Sequence, residues 1–403
     1  MVTPVHELDL PADEFEGLER QEAVAALDAA RKQHWLARGL FGYVVVNYED
    51  VVGILRDRRF HSAFAMLPEM SGLPPDDPFL AQRRESILSM EGPGHSRLRR
   101  LVASAFTPKS ADRLRPFMRS VVGGLVDQFV ADGRCEFVHD ICEPYPIPII
   151  CELLGAPKED WKLFSQWATD IFRIFNGDLV NDKAVIQAAS EELETYVRAM
   201  IEDRRKAPAA DLLSDMIAAE EAGDRLSTDE LVMMTEAVLM AGTDTTRNQL
   251  ACSVALFSEY PDQWALLAEQ PELAPRAVEE TMRFLGAVRG TARIAAEDVE
   301  YRDVLFPAGT FVATSLAAAN RDPAMFPEPQ SFDITRAPSS SPQLTFGSGI
   351  HYCLGASLAR AELQEALPLL ARRMPNLALD GELEWKPPTV GIWGPAKLPL
   401  RFG

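Results

Sequence analysis

Cys353 stands in the run TFGSGIHYCLGASLAR, residues 345–360, and its neighbours suggest metal chemistry. A thiolate is both a nucleophile and a metal ligand, whereas a thiol is neither. The pattern beyond Leu354 predicts a helix to about Met374, with Ala359, Leu363, Ala366, Leu367 and Leu370 on one face. Cys353 therefore lies where loop becomes helix, and the amides and dipole of a helix start lower a thiol's pKa. Gly347, Gly349 and Gly355 let the backbone take turns closed to other residues and come close to a flat cofactor. Taken by itself, Cys353 reads equally as a buried thiol in a glycine turn. A zinc site would need four ligands, and His351 and Cys353 have no second Cys/His pair to complete them.

A second group lies at Ala241-Gly242-Thr243-Asp244-Thr245-Thr246. The run 226–260 around it reads as one long helix opened by the capping box Ser227-x-x-Glu230. Gly weakens a helix, and Thr hydroxyls take over carbonyl bonds and bend its axis. An Asp buried there is costly unless it is used or paired; the alternative is a polar patch with Asp244 in solvent. His95 and Arg99 share a face of a helix expected over 93–106, which has Pro93 in its first turn and is closed by Pro108. Glu280 and Arg283 have helical spacing too, which by itself is ordinary surface pairing.

Several elements must position these groups. The pattern predicts a helix over 20–38, a strand over Phe41–Tyr48 and a helix from Tyr48 to Asp57. Residues 61–90, apolar yet irregular, read as a folded binding loop. Helices dominate to about Leu285, then 292–314 reads as strand, Pro-Ala-Gly turn, strand. The fold class is mainly α with small β-sheets.

Composition narrows the function. Of 403 residues 47% are hydrophobic, enough for a large core, and the net charge of −20 excludes a phosphate-backbone binder. No run approaches the ~20 apolar residues of a membrane span, and Met1–Gly17 is acidic with no basic leader. We expect a soluble cytoplasmic protein, a monomer without nucleic-acid partner or membrane anchor. No linker or repeat divides the chain, so residues 1–403 are expected to form one unit with a short N-terminal extension over about 1–18. Five scattered cysteines, none in a C-x-x-C pair, fit a reducing compartment.

Phe346, Gly349, His351, Cys353 and Gly355 match every fixed position of F-x-x-G-x-H-x-C-x-G, and the chain resembles the cytochrome P-450 superfamily. The likeness runs from about residue 35 to the C-terminus. EGPGHSRLRRLVASAFTP (91–108), AGTDT (241–245), Glu280-x-x-Arg283 and the Cys353 loop follow in family order. The resemblance implies haem b cradled by Phe346, Gly347 and Gly355, with Cys353 as axial ligand to the iron. It implies that His95, Arg99, Arg293 and His351 meet the propionates. It also implies that Gly242 opens a groove for O2, that Thr245 offers a hydrogen bond where oxygen is activated, and that Asp244 relays protons, with Asn248 steadying the water network. One departure stands out: many members carry an Arg in a P-x-R-F segment, where this chain has Pro329-Gln330-Ser331-Phe332. What braces Glu280 and Arg283 is thereby left open. Gly286-Ala287 also replaces a Pro-Pro common among relatives.

The substrate segments implied are the 61–90 loop (Phe64, Met66, Leu67, Met70, Leu88), Trp167–Phe175 with Phe172, Val238, Ala241, Val288, and the Ile392–Trp393 turn. Their apolar character points to a lipophilic small molecule such as a terpenoid, steroid, fatty acid or polyketide. Arg289 falls among them, either to bind a substrate carboxylate or, more plainly, to bond backbone carbonyls. The expected reaction is O2-dependent hydroxylation or epoxidation. Electrons would come from NAD(P)H through a separate ferredoxin or flavodoxin. Arg97, Arg99, Arg100, Arg113 and Arg115 form either a docking patch for that partner or a solvated basic face. The alternatives are a family member that couples or rearranges its substrate, a peroxide-driven haem enzyme and a haem sensor.

Overall fold

The computed structural model describes residues 2–12, 20–39, 41–65, 73–74, 76–77, 79, 84–175, 179–221, 226–387 and 392–403. Helices run α1 Arg20–Gln33, α2 Tyr48–Arg56, α3 Gly92–Val102, α4 Pro108–Val126, α5 Pro146–Leu154, α6 Trp161–Ile171 and α7 Leu179–Lys206. They continue as α8 Leu212–Glu221, α9 Thr228–Ala241, α10 Asp244–Glu259, α11 Pro261–Glu269, α12 Ala274–Phe284, α13 Leu316–Ala319 and α14 Ala356–Arg373.

The strands are short. Of those used below, β1 is Leu36–Arg38, β2 Tyr43–Val45, β3 Phe60–Ser62, β4 Gly290–Ala295, β5 Val299–Tyr301, β6 Val304–Phe306 and β7 Phe311–Ser315. Strands β1, β2, β7, β4 and β3 form one five-stranded sheet in that order, with only β2 and β7 parallel. The strand–turn–strand expected over 292–314 is an antiparallel β4–β7 pair with the β5–β6 hairpin inserted between them.

Burial follows helical period. Helix α10 is enclosed nearly all round, Leu250 to Phe257 being buried without exception, and it packs on α12 and α14. That cluster is the larger core. A second one joins the sheet to α2 through Leu36, Val45, Ile54, Phe306 and Val312. Among the described residues no helix is long and apolar enough to cross a membrane.

Three expectations are corrected. The helix over 20–38 stops at Gln33, and Leu36–Arg38 is a strand. The strand over 41–48 shrinks to Tyr43–Val45, because Tyr48 already opens α2. The single helix over 226–260 is two. Its capping box forms as read, with Ser227 Oγ accepting from Glu230 N and Glu230 bonding Ser227 N. The ladder then fails at Gly242–Thr243. The Met240 and Ala241 carbonyls, which would take the amides of residues 244 and 245, accept the hydroxyls of Thr243 and Thr245 instead, both at 2.9 Å. The apolar period continues through the break, so only the local chemistry marks it.

Candidate active site

The Cys353 loop is tied by its own backbone. Cys353 N donates to Phe346 O at 2.9 Å and Gly347 N to Leu344 O at 2.7 Å. Gly347 and Gly349 hold φ of +71° and +74°, where other residues are strained. A Cβ at Gly349 would run into the Leu55 carbonyl of α2, so glycine lets this loop close on that helix. Cβ atoms at Gly347 and Gly355 would meet nothing within 4 Å, and both positions line a large cavity. The loop thus shows that cavity a flat backbone face. The Gly355 amide, Arg99 and Arg360 favour a Cys353 thiolate, but burial outweighs them and pushes the thiol up. This reverses the fall expected from the helix start: in an enclosed site the thiolate needs a bound cation, as metal coordination provides.

Among the basic side chains that line the same cavity are His95, Arg99, Arg293 and His351, the four expected from the sequence. His95 is 2% exposed, its ring 4.6 Å from that of His351, and His351 Nε2 lies 3.0 Å from Glu91 Oε1. Arg99 donates to the Tyr352 carbonyl, and Arg293, 4% exposed, donates to Ala292 O. Burial pushes the pKa values of His95, Arg99 and Arg293 down, the neighbouring cations adding to the effect at His95. Such a set is stabilised by anions. Two carboxylates on a flat macrocycle over Cys353 fit it, as haem would supply. The cavity, about 2200 Å³, is some twice the roughly 1,000 Å³ of a large small-molecule site. It has room for a cofactor and a substrate together.

The α9–α10 break forms another wall, with Ala241, Gly242, Thr245 and Thr246 lining the cavity. A Cβ on Gly242 would strike Ile150 of α5, so close helix packing already demands glycine there. Asp244, 4% exposed, does not face solvent; it pairs with Arg247, whose guanidinium reaches Thr169 Oγ1 of α6 at 3.4 Å. Asn248 Nδ2 donates to the Asp244 carbonyl at 2.7 Å.

Phe64, Leu88, Phe172, Val238, Ala241, Val288, Arg289, Ile392 and Trp393 all line the cavity, while Met66, Leu67 and Met70 lie outside the described residues. Sequence reasoning missed Met233, Ala237 and Met240, which line it too. Ala237 and Met233 sit about one and two helical turns before Ala241, a spacing that would have found them, whereas Met240 is its neighbour and carries no such signal. The arginines of the basic patch have different surroundings. Arg97 is paired with Glu230, Arg99 turns into the cavity, and Arg115 is held by Asp112 and Glu365. Glu230 and Glu365 are too distant in sequence to leave a trace beside the arginines, whereas Asp112 is only three residues from Arg115.

The comparisons agree with this geometry. The family model described as Cytochrome P-450 matches residues 149–273 and 263–374. Luteothin monooxygenase of Streptomyces thioluteus is 38% identical over 378 residues, covering 93% of this chain and 91% of the relative. Mycinamicin IV hydroxylase/epoxidase of Micromonospora griseorubida is 38% identical over 364 residues, 89% of each chain. The crystal structure of CalO2 superposes with a TM-score of 0.89 at 30% identity, covering 98% of this chain and 99% of that one. With a mainly α fold, a glycine-built Cys353 loop and this breadth of similarity, the chain belongs to the cytochrome P-450 family, as a monooxygenase whose cofactor is haem b with a thiolate on its iron.

Proposed function

We propose that Cys353 is the axial thiolate, that His95, Arg99, His351 and Arg293 take the haem propionates, and that Asp244 and Thr245 serve the oxygen side. The single observation that carries this reading is convergence: Cys353, the four basic side chains and Thr245 at the α9–α10 break line one cavity. Haem supplies reductive activation of O2, and a thiolate ligand favours O–O cleavage. The protein's own groups do the rest. Thr245 presents a hydroxyl at the cavity wall, and Asp244, held by Arg247, stands one residue away to relay protons. Apolar walls at Phe172, Val238, Val288 and Ile392 exclude water and hold a lipophilic substrate.

The reaction is hydroxylation or epoxidation, which the name of the mycinamicin relative supports. Electrons reach the site from NAD(P)H through a ferredoxin or flavodoxin, and the enzyme works as a soluble cytoplasmic monomer. The test is a screen of lipophilic compounds for the low- to high-spin haem shift. It is followed by turnover of any hit with a surrogate ferredoxin, its reductase and isotopically heavy O2. One heavy oxygen per product is expected. Turnover with peroxide alone, at the same rate, would favour a peroxide-driven enzyme instead.

A further inference from the structure

Glu91 stands immediately before α3, where a polar side chain ordinarily caps the helix, yet it makes no cap bond. Pro93 in the first turn already removes one amide that a cap would serve. The carboxylate reaches two distant elements instead. Its Oε1 accepts from the backbone N of Ser62, 29 residues away, at 2.7 Å. The same oxygen lies 3.0 Å from Nε2 of His351, 260 residues away. Strand β3 is at the edge of the five-stranded sheet, and Glu91 meets the Ser62 amide where no further strand does. Burial acts to raise the Glu91 pKa, but the bonds from His351 and Ser62 outweigh it and hold the group below its ordinary value. The acceptor is therefore a carboxylate, and its bonds are charge-assisted.

Each bond fastens an element that carries a basic side chain of the cavity. Ser62 is the register partner of Arg293 across β3 and β4. His351 belongs to the Cys353 loop, and its ring lies 4.6 Å from that of His95, four residues after Glu91. Arg99 follows one turn later on α3. Two hydrogen bonds and the chain itself thus join Glu91 to all three elements that bring these four side chains together. Its charge also opposes the effect of burial at Arg293 and at His95. Glu91 is not itself among the residues lining the cavity. We infer that Glu91 is a positioning residue for the haem propionates: it fastens the His351 loop to β3 and so sets where His351 and Arg293 stand. The inference rests on the propionate assignment proposed above and adds the residue that assembles it.

The experiment follows haem release from the ferric, haem-loaded protein into excess apomyoglobin, well below the unfolding temperature, so it reads retention and not turnover. Glu91→Leu should release haem about 10- to 100-fold faster than wild type, as expected for lost hydrogen bonds to a charged group. Glu91→Gln, which keeps an acceptor without the charge, should fall between the two. Coupling separates positioning from a merely structural role. In a His351→Leu background Glu91→Leu should accelerate release much less than it does alone. In an Arg336→Ala background, where the partners are Glu280 and the carbonyls of Pro327, Glu328 and Ser331, its effect should be undiminished. The inference is overturned if Glu91→Leu holds haem as wild type does, or if its effect is as large beside His351→Leu as alone. If Glu91→Leu takes up no haem, Glu91→Gln decides: release at the wild-type rate, or faster release that His351→Leu does not diminish, overturns it. Failure of the propionate assignment would show separately, as wild-type release from both His351→Leu and Arg293→Leu.

Discussion

Arg336 completes the buried charge cluster of Glu280 and Arg283, its Nε lying 3.1 and 3.2 Å from the two Glu280 carboxylate oxygens. Arg283 makes a bidentate pair with the same carboxylate, both bonds at 2.8 Å, and donates to the carbonyls of Asn320, Pro329 and Ser331. The brace absent from Pro329-Gln330-Ser331-Phe332 is thus supplied from four residues beyond Phe332. Truncating one partner of a buried cluster leaves the others underpaired. Arg336→Ala should lower unfolding stability by about 1–3 kcal/mol, with Arg336→Lys intermediate. Thermal unfolding of the haem-loaded protein measures it; an unchanged midpoint in the Ala variant would show that Arg283 alone suffices.

How far the sequence reached can be judged from such cases. The Ser227 capping box, the helix beginning near Leu354 and the cavity-facing side of Val238 and Ala241 are local, each set by residues within a turn or two. Arg336 was missed because its partner lies 56 residues away and only the folded chain brings them together. The break at Gly242–Thr243 was missed for another reason. Apolar spacing reports which face is buried, and that face is continuous across both helices. The rise in the Cys353 pKa escaped as well, since desolvation is a property of the whole enclosure and the sequence showed only the helix start.

The buried acid Glu362 gives a pH prediction. It is 1% exposed, Thr246 hydrogen-bonds it, its Oε2 has no hydrogen-bond partner, and burial pushes its pKa well above the ordinary 4.5. A carboxyl whose folded pKa is raised keeps its proton in the native state, so its stability contribution is full below pH 4.5 and declines as pH rises towards the folded value. Glu362→Gln should therefore be at least as stable as wild type at neutral pH, with an advantage that grows from pH 5 to pH 8. Chemical denaturation across that range tests it. An advantage that shrinks with pH would mean that Glu362 is ionised in the fold.

Thr245 and Asp244 give a coupling prediction. Positioned proton transfer is worth about 100- to 10,000-fold in rate. Thr245→Ala should still bind substrate and consume reductant, but release more hydrogen peroxide per product. Asp244→Asn should slow the whole cycle with a larger solvent isotope effect. Product, peroxide and reductant are measured in parallel; unaltered coupling in both variants would remove this helix break from the oxygen chemistry.

A charged partner implies salt dependence. If a ferredoxin docks electrostatically, reduction should slow steeply as ionic strength passes about 0.1 M, where the Debye length is about 10 Å. Substrate affinity, set mainly by apolar walls, should move little. Stopped-flow reduction beside spin-shift titration separates the two, and salt-insensitive reduction by a competent ferredoxin would contradict electrostatic docking.

The central claim is the thiolate of Cys353 on haem iron, and the reduced carbon monoxide spectrum measures it most directly. Wild type should show the red-shifted Soret band of a thiolate haem, and Cys353→Ala should lose it, even where some haem is retained. A Cys353→Ala variant that keeps the band, or a haem-loaded wild type that never shows it, would contradict the assignment.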